Sequence, residues 1–162
     1  MMLYIHLVLA TVLAALLASL SPLYWLVAFA ALYPIFRVGG LVHSRSRLYA
    51  LRLEAGVVFV PWFIWQVFSA SLGVAKIVLN PRCQVESAVV CVPVHTRDKR
   101  LITLLGCLLT LTPGTLALDY RASSGDLFVH VLDTRSADSV IAAVRQIESR
   151  LMHWVQPLGG DL

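Results

Sequence analysis

The chain has 162 residues, 59% of them hydrophobic and only 14% charged, with a mean hydropathy of +0.80. That balance excludes an ordinary soluble domain, in which roughly a quarter of residues are charged, and puts the chain in a membrane. The net charge of +4 is unevenly placed: residues 1–36 contain no Asp, Glu, Lys or Arg, whereas Arg37, Arg45, Arg47 and Arg52 follow one another without an acid. Neutral spans beside a basic stretch are a topology signal rather than a nucleic-acid-binding one.

Residues 3–20 are an uncharged apolar run, interrupted by Ser19-Leu20-Ser21-Pro22 before Leu23–Phe36 resumes it. One helix through both would be roughly 50 Å long against a hydrocarbon core of about 30 Å, so residues 1–36 are predicted to form a transmembrane helical hairpin. Tyr24, Trp25 and Tyr33 put aromatic rings near both ends of the second arm, where interfaces favour them. A signal peptide is the rival reading, because small residues follow Leu16-Leu17, but no basic segment precedes the apolar run. Residues 37–52 then form a basic cytoplasmic loop oriented by anionic membrane lipid, with Gly39-Gly40 as a flexible exit from the second helix.

Residues 53–80 are apolar enough to span, yet carry Glu54, Pro61, Gln66, Ser69, Ser71 and Lys76, with Phe59, Trp62, Phe63, Trp65 and Phe68 crowded together. If this segment crossed, the rest of the chain would lie outside unless residues 101–118 returned. Those are broken at Thr112-Pro113-Gly114-Thr115, leaving about eleven apolar residues where a span needs about twenty. Parity therefore favours an interfacial helix, bent at Pro61 with Lys76 snorkelling, over a third span.

Residues 81–162 change character. Val85–Val94 is strand-like, Thr96 is placed to cap a helix running to Leu111, and Pro113 with Gly114 ends that helix. Thr115–Arg121 reads as a strand with Leu116, Leu118 and Tyr120 alternating toward one face. Ala122-Ser123-Ser124-Gly125 supplies a hairpin loop, and Asp126–Leu132 is its return strand. Ser136 caps a last helix with Val140, Val144, Ile147 and Leu151 in a stripe. The order β-α-β-β-α is most of a small ferredoxin-like α/β domain, its remaining edge strand absent or supplied after Trp154. Leucines all round the helix 101–111 predict a cover from outside, either a partner protein or the bilayer.

Chemistry is sparse. No nucleophile with a base, paired carboxylate or phosphate loop is visible, which points away from an enzyme and gives no catalytic or cofactor-binding residue. Cys83, Cys91 and Cys107 lack C-x-x-C spacing and read as buried reduced thiols. The five histidines have no metal-ligand spacing, so neither a metal nor a cofactor is expected. Asp119, Asp126 and Asp133 read as turn and cap residues, and His130 as a structural histidine opposite Val129 and Val131. Ion translocation needs ionisable groups inside the bilayer, and the two predicted spans offer His6, Ser and Thr, so the chain does not host an ion path alone.

The string LTLTPGTLALD, preceded by Asn80-Pro81 after a hydrophobic segment and followed by Leu127–Asp133, resembles the E subunit of the Mrp-type (Mnh, Pha) multisubunit cation/proton antiporters. The resemblance runs in element order over nearly the whole chain, and Thr112, Pro113, Gly114, Thr115 and Asp119 match the family motif. Residues 53–79 depart from it in being more apolar and aromatic. The resemblance implies an accessory or assembly subunit, partnered by the large membrane subunits of an antiporter that exchanges cytoplasmic Na⁺ or K⁺ for external protons. The cytoplasmic side of the α/β domain follows from the parity of the spans and the arginine-rich stretch. The residues alone leave open a stand-alone membrane-tethered module that binds a ligand or a protein.

Overall fold

The computed structural model describes residues 1–17, 21–41, 43–80, 86–133 and 137–157. Its elements are α1 (Met2–Leu16), α2 (Pro22–Gly39), α3 (Ser44–Leu79), β1 (Ala88–Pro93), α4 (Lys99–Leu111), β2 (Thr115–Arg121), β3 (Asp126–Val131) and α5 (Ala137–Val155). Two compact units result, one containing Met1–Gly56 and the other Val57–Val155.

In the first unit α1 and α2 form the expected hairpin. Pro22 opens α2 in its first turn, where the missing N–H costs nothing. The two helices run antiparallel, because the Trp25 indole donates to Thr11 Oγ1 while His6, nearer the start of α1, reaches Phe29 further along α2. Ala10, Ala14 and Ala28 are buried, small residues that let apolar helices approach closely. The basic loop expected over 37–52 is a correction. Arg37 sits in the last turn of α2, and Arg45, Arg47 and Arg52 lie on α3, which begins at Ser44. Arginine is a good helix former, so a run of charge here marks a helix surface rather than irregular backbone. Gly40 is also no flexible exit: a Cβ there would stand 2.9 Å from the Arg47 Cα, so glycine permits the close approach of the two helix ends.

α3 is continuous over 36 residues, about 54 Å at the usual rise, and holds Pro61 within it. Among the described residues, α2 and α3 are long and apolar enough to cross a bilayer, whereas α1 has 15 residues.

The second unit is the β-α-β-β-α domain. Its sheet has the order β1-β3-β2 with both pairings antiparallel, so β1 and β2 are parallel to each other across β3 and joined through α4. Val92, Leu127, Val129 and Val131 face a core completed by Leu101, Leu105, Leu108 and Leu109 of α4 and Val144, Ile147 and Leu151 of α5. The stripe read along α5 is therefore its buried face. Most of the α4 leucines are buried inside the unit, correcting the expectation that they need an external cover. Its outward side mixes Thr103, Cys107 and Thr110 with the exposed Leu104 and Leu111, and Cys91 and Cys107 are exposed thiols rather than the buried ones expected.

Several boundaries move. α4 is capped by Asp98, which accepts from the Arg100 N–H at 2.8 Å, not by Thr96. Ser136, Cys83 and Val85 lie outside the described residues; Glu86, Ser87 and Val94 flank β1 rather than belonging to it, and Trp154 belongs to α5. The larger correction is in β2. Ala117 pairs with Val129 and Asp119 with Phe128, so Leu118 is a bulged extra residue. The bulge resets the alternation: Ala117 and Tyr120 pack on the core, while Leu116 and Leu118 are 43% and 51% exposed.

Replacing Leu105, fully buried, by alanine should lower unfolding stability by about 2–5 kcal/mol in a denaturant titration of the full chain in detergent. Leu116→Ala should stay within about 0.5 kcal/mol. Equal losses would mean that β2 turns its other face to the core.

Candidate functional site

The polar chemistry of the first unit gathers at two ties. His6 is fully buried and stacked on Phe29 with ring centroids 3.9 Å apart. A carbonyl only accepts, so Nε2 donates to Phe29 O at 2.9 Å, while Nδ1 and the Tyr49 hydroxyl are paired at 2.6 Å. One imidazole thereby holds α1, α2 and the beginning of α3. At the second tie, Arg37 Nε lies 2.8 Å from Glu54 Oε1, and the Tyr33 hydroxyl donates to the same oxygen. Both partners are half-exposed, which limits the ion pair's worth in energy but not its use as a spacer between α2 and α3. Arg45 and Arg47 are exposed in the first turn of α3. The four arginines thus divide, with Arg37 engaged by an acid that sequence spacing did not pair with it.

The motif residues Thr112, Pro113, Gly114, Thr115 and Asp119 act together in the second unit as a helix stop and strand start. The Thr112 hydroxyl donates to Leu108 O at 3.1 Å and its N–H to Leu109 O at 3.1 Å. The Thr115 hydroxyl, 2.7 Å from Leu109 O and 3.0 Å from Thr112 O, serves the same terminus. The last carbonyls of α4, which no helix can satisfy internally, are met by these two threonines. Gly114 has φ +90°, and its carbonyl accepts from Leu132 N at 2.9 Å, fastening the end of β3. A side chain there would be strained by the backbone and crowded by Val74 Cγ2 at 3.3 Å. Asp119, placed by the bulge, accepts from the Tyr120 N–H at 2.8 Å, so it holds the irregular backbone in place rather than ending a strand.

A polar residue that sequence reading passed over is Glu148. It lies in the apolar stripe of α5, is 3% exposed, and accepts from the backbone N–H of His95 at 2.6 Å and of Thr96 at 2.8 Å. The carboxylate ties the loop before α4 to α5. Its signal was positional: an acid one residue after Ile147 and three before Leu151 falls on the buried side. His130 projects from β3 on the side away from the core, as its alternation with Val129 and Val131 required. Among the described residues no three of His, Cys, Asp and Glu converge on a cation-sized site.

Along α3 a stripe of side chains meets α5. Phe59 stacks on Trp154 at 5.1 Å, the Arg150 guanidinium lies 4.3 Å over the Trp62 ring, and Gln66 donates to Gln146 at 3.5 Å. Val57, Val58, Ile64, Trp65, Phe68 and Leu72 remain exposed.

The family model of the Na⁺/H⁺ ion antiporter subunit MNHE matches residues 1–155. The chain belongs to that family. The E subunit of the Na⁺/H⁺ antiporter from Alkalihalophilus pseudofirmus is 27% identical over 106 residues, covering 65% of this chain and 67% of the relative. A chain in the structure of the Mrp complex from Dietzia is 27% identical, with a TM-score of 0.48, and the match covers 62% of this chain and 94% of that one. A chain of the archaeal membrane-bound sulfane sulfur reductase complex shares the fold at a TM-score of 0.54 and 23% identity, over 92% of this chain and 95% of its own. The N-terminal hairpin and the α/β domain of this MNHE-family chain both lie within the matched range.

Within the motif, Thr115→Val should cost about 1–3 kcal/mol by removing the hydroxyl that meets two carbonyls, and Thr115→Ser should restore most of it. Gly114→Val should cost about 1–3 kcal/mol through backbone strain. Both are read by the same denaturant titration; an unchanged midpoint in Thr115→Val and Gly114→Val would show that the stop is not held by this turn.

Proposed function

We propose that this chain is an accessory and assembly subunit of a multisubunit monovalent cation/proton antiporter, which exchanges cytoplasmic Na⁺ or K⁺ for external protons, and that it does not carry the ion path alone. The observation that carries the reading is how two titratable groups of the N-terminal unit, His6 and Glu54, are engaged. His6 has both ring nitrogens committed to helix contacts, and Glu54 is held by Arg37 and Tyr33. A transport site needs groups free to exchange partners with the ion, and these serve as ties between helices. Family membership over residues 1–155 supplies the larger subunits as partners, and α1 and α2 expose leucine and valine to receive them or lipid. The part played by this chain in the exchange is structural rather than catalytic.

For sidedness, Arg37, Arg45, Arg47 and Arg52 favour the cytoplasmic surface by the positive-inside rule. The α/β domain is assigned to that side as well. Support comes from the stripe between α3 and α5: if residues 57–79 were ringed by lipid, Gln146 and Arg150 would be drawn into hydrocarbon beside Gln66 and Trp62, at a cost polar groups do not bear without need. An interfacial placement leaves those groups wet and gives Trp65, Phe68 and Leu72 to the lipid surface.

Vesicles containing this chain alone should show no Na⁺- or K⁺-dependent collapse of an imposed pH gradient; reproducible exchange would end the accessory reading. For topology, single cysteines at the exposed Ser44 and Ser123, in a background without the native three, should both escape a membrane-impermeant thiol reagent in intact cells. Both should react after permeabilisation. Labelling of Ser123→Cys alone in intact cells would establish α3 as a further span and place the α/β domain outside.

A further inference from the structure

The sheet treats its two edges differently. β2 carries the bulge at Leu118 and the charges of Asp119 and Arg121, devices that keep foreign strands from pairing. β1 carries neither. Residues 87–94 read SAVVCVPV without a charge, and the pairing with β3 is regular from Ala88↔Val131 to Pro93↔Asp126. Among the described residues no strand pairs with the outer side of β1, where Val89 is 54% exposed and Cys91 is exposed as well. Pro93 blunts the last position, which leaves Ala88–Val92 as a regular, uncharged edge whose alternate N–H and C=O groups point outward. In a complete β-α-β-β-α-β sheet the fourth strand lies at this position beside β1.

We propose that β1 accepts a strand from another subunit of the assembly: an extended, uncharged segment that pairs with Ala88–Val92 and sets alternate apolar side chains beside Val89 and Cys91. The occupant follows from the chemistry of the edge. Outward backbone groups in a row are matched by another extended backbone, which neither a lipid nor a helix supplies. The lack of charge on β1 leaves nothing for a charged strand to pair with, so the complement is neutral. On the open face the rungs read Val89–His130–Leu116 and Cys91–Phe128–Asp119, so the apolar side chains lie on the β1 side while Asp119 and Arg121, whose guanidinium lies 5.0 Å over the Phe128 ring, mark the β2 side.

The inference rests on the subunit reading above, and one preparation separates the two. Amide hydrogen–deuterium exchange is compared between the detergent-purified antiporter complex and the same full chain purified alone. Outward amides of Ala88–Val92 should exchange at least about tenfold more slowly in the complex, with Leu118–Arg121 unchanged. A photo-cross-linker on the Cys91 thiol, with Cys83 and Cys107 replaced by serine, should join β1 to a peptide of a different subunit. Equal exchange in the two samples overturns the proposal, whether fast in both or already slow in the isolated chain, where residues of this chain would fill the edge. A cross-link confined to a second copy of this chain overturns it too. A chain that co-purifies with no other subunit overturns both readings, whereas a complex without added protection at β1 overturns the strand alone.

Discussion

An α-helix ends with carbonyls that have no N–H to meet, and the C-terminal unit is organised around how α4 deals with them. Thr112 and Thr115 bring hydroxyls to Leu108 O and Leu109 O, and Gly114 takes the positive φ that lets the chain reverse within that cap. The reversal sets Thr115 opposite Val131, and one position further along the Gly114 carbonyl receives the N–H of Leu132. One turn thus fixes the end of the helix, the register of β2 and the end of β3. With α4 stopped there, Leu101, Leu105, Leu108 and Leu109 join the core shared by the sheet and α5. At the opposite end of α4 the buried Glu148 carboxylate holds the entering loop, so the helix is fastened at both termini by polar groups while its middle is held by apolar burial.

The N-terminal unit follows a different logic. Apolar side chains gain little by meeting one another when lipid is the alternative, so its helices are joined by small residues and specific polar contacts. Ala10, Ala14 and Ala28 remove bulk between α1 and α2, His6 bridges to Tyr49, and Glu54 draws Arg37 and Tyr33 together. These contacts take away the freedom of the ionisable groups that make them. A chain built this way offers rigidity and outward apolar surface rather than mobile charge.

What was legible in the sequence was what backbone chemistry dictates. Proline lacks an N–H and glycine reaches positive φ, so the stop at Pro113-Gly114 and the loop ending at Gly125 stood out against their surroundings. The α5 stripe was visible because its period is long and clean. The bulge was not: one added residue alters phase without altering composition, and Leu116, Leu118 and Tyr120 looked like one face. The start of α3 was hidden for a different reason, since four arginines suggest solvent and solvent suggests a loop, although a helix surface serves equally well. Of the site, the threonines and Asp119 were recognised as structural residues. The ties at His6–Tyr49 and Arg37–Glu54 join residues on different helices, which no local pattern reports, and Glu148 passed unnoticed because a single acid does not break a stripe.

The irregularity in β2 also bears on chain length. With Leu118 removed, Thr115, Ala117 and Tyr120 would still face inward and Leu116, Asp119 and Arg121 outward, in unbroken alternation. Nearly every other deletion inside a strand inverts all that follows it. Position 118 is therefore where this sheet can gain or lose a residue without turning its core inside out, and a regular ladder is the simpler solution. Leu118 is surplus to the alternation of the strand, and its side chain, 51% exposed, adds nothing to the core.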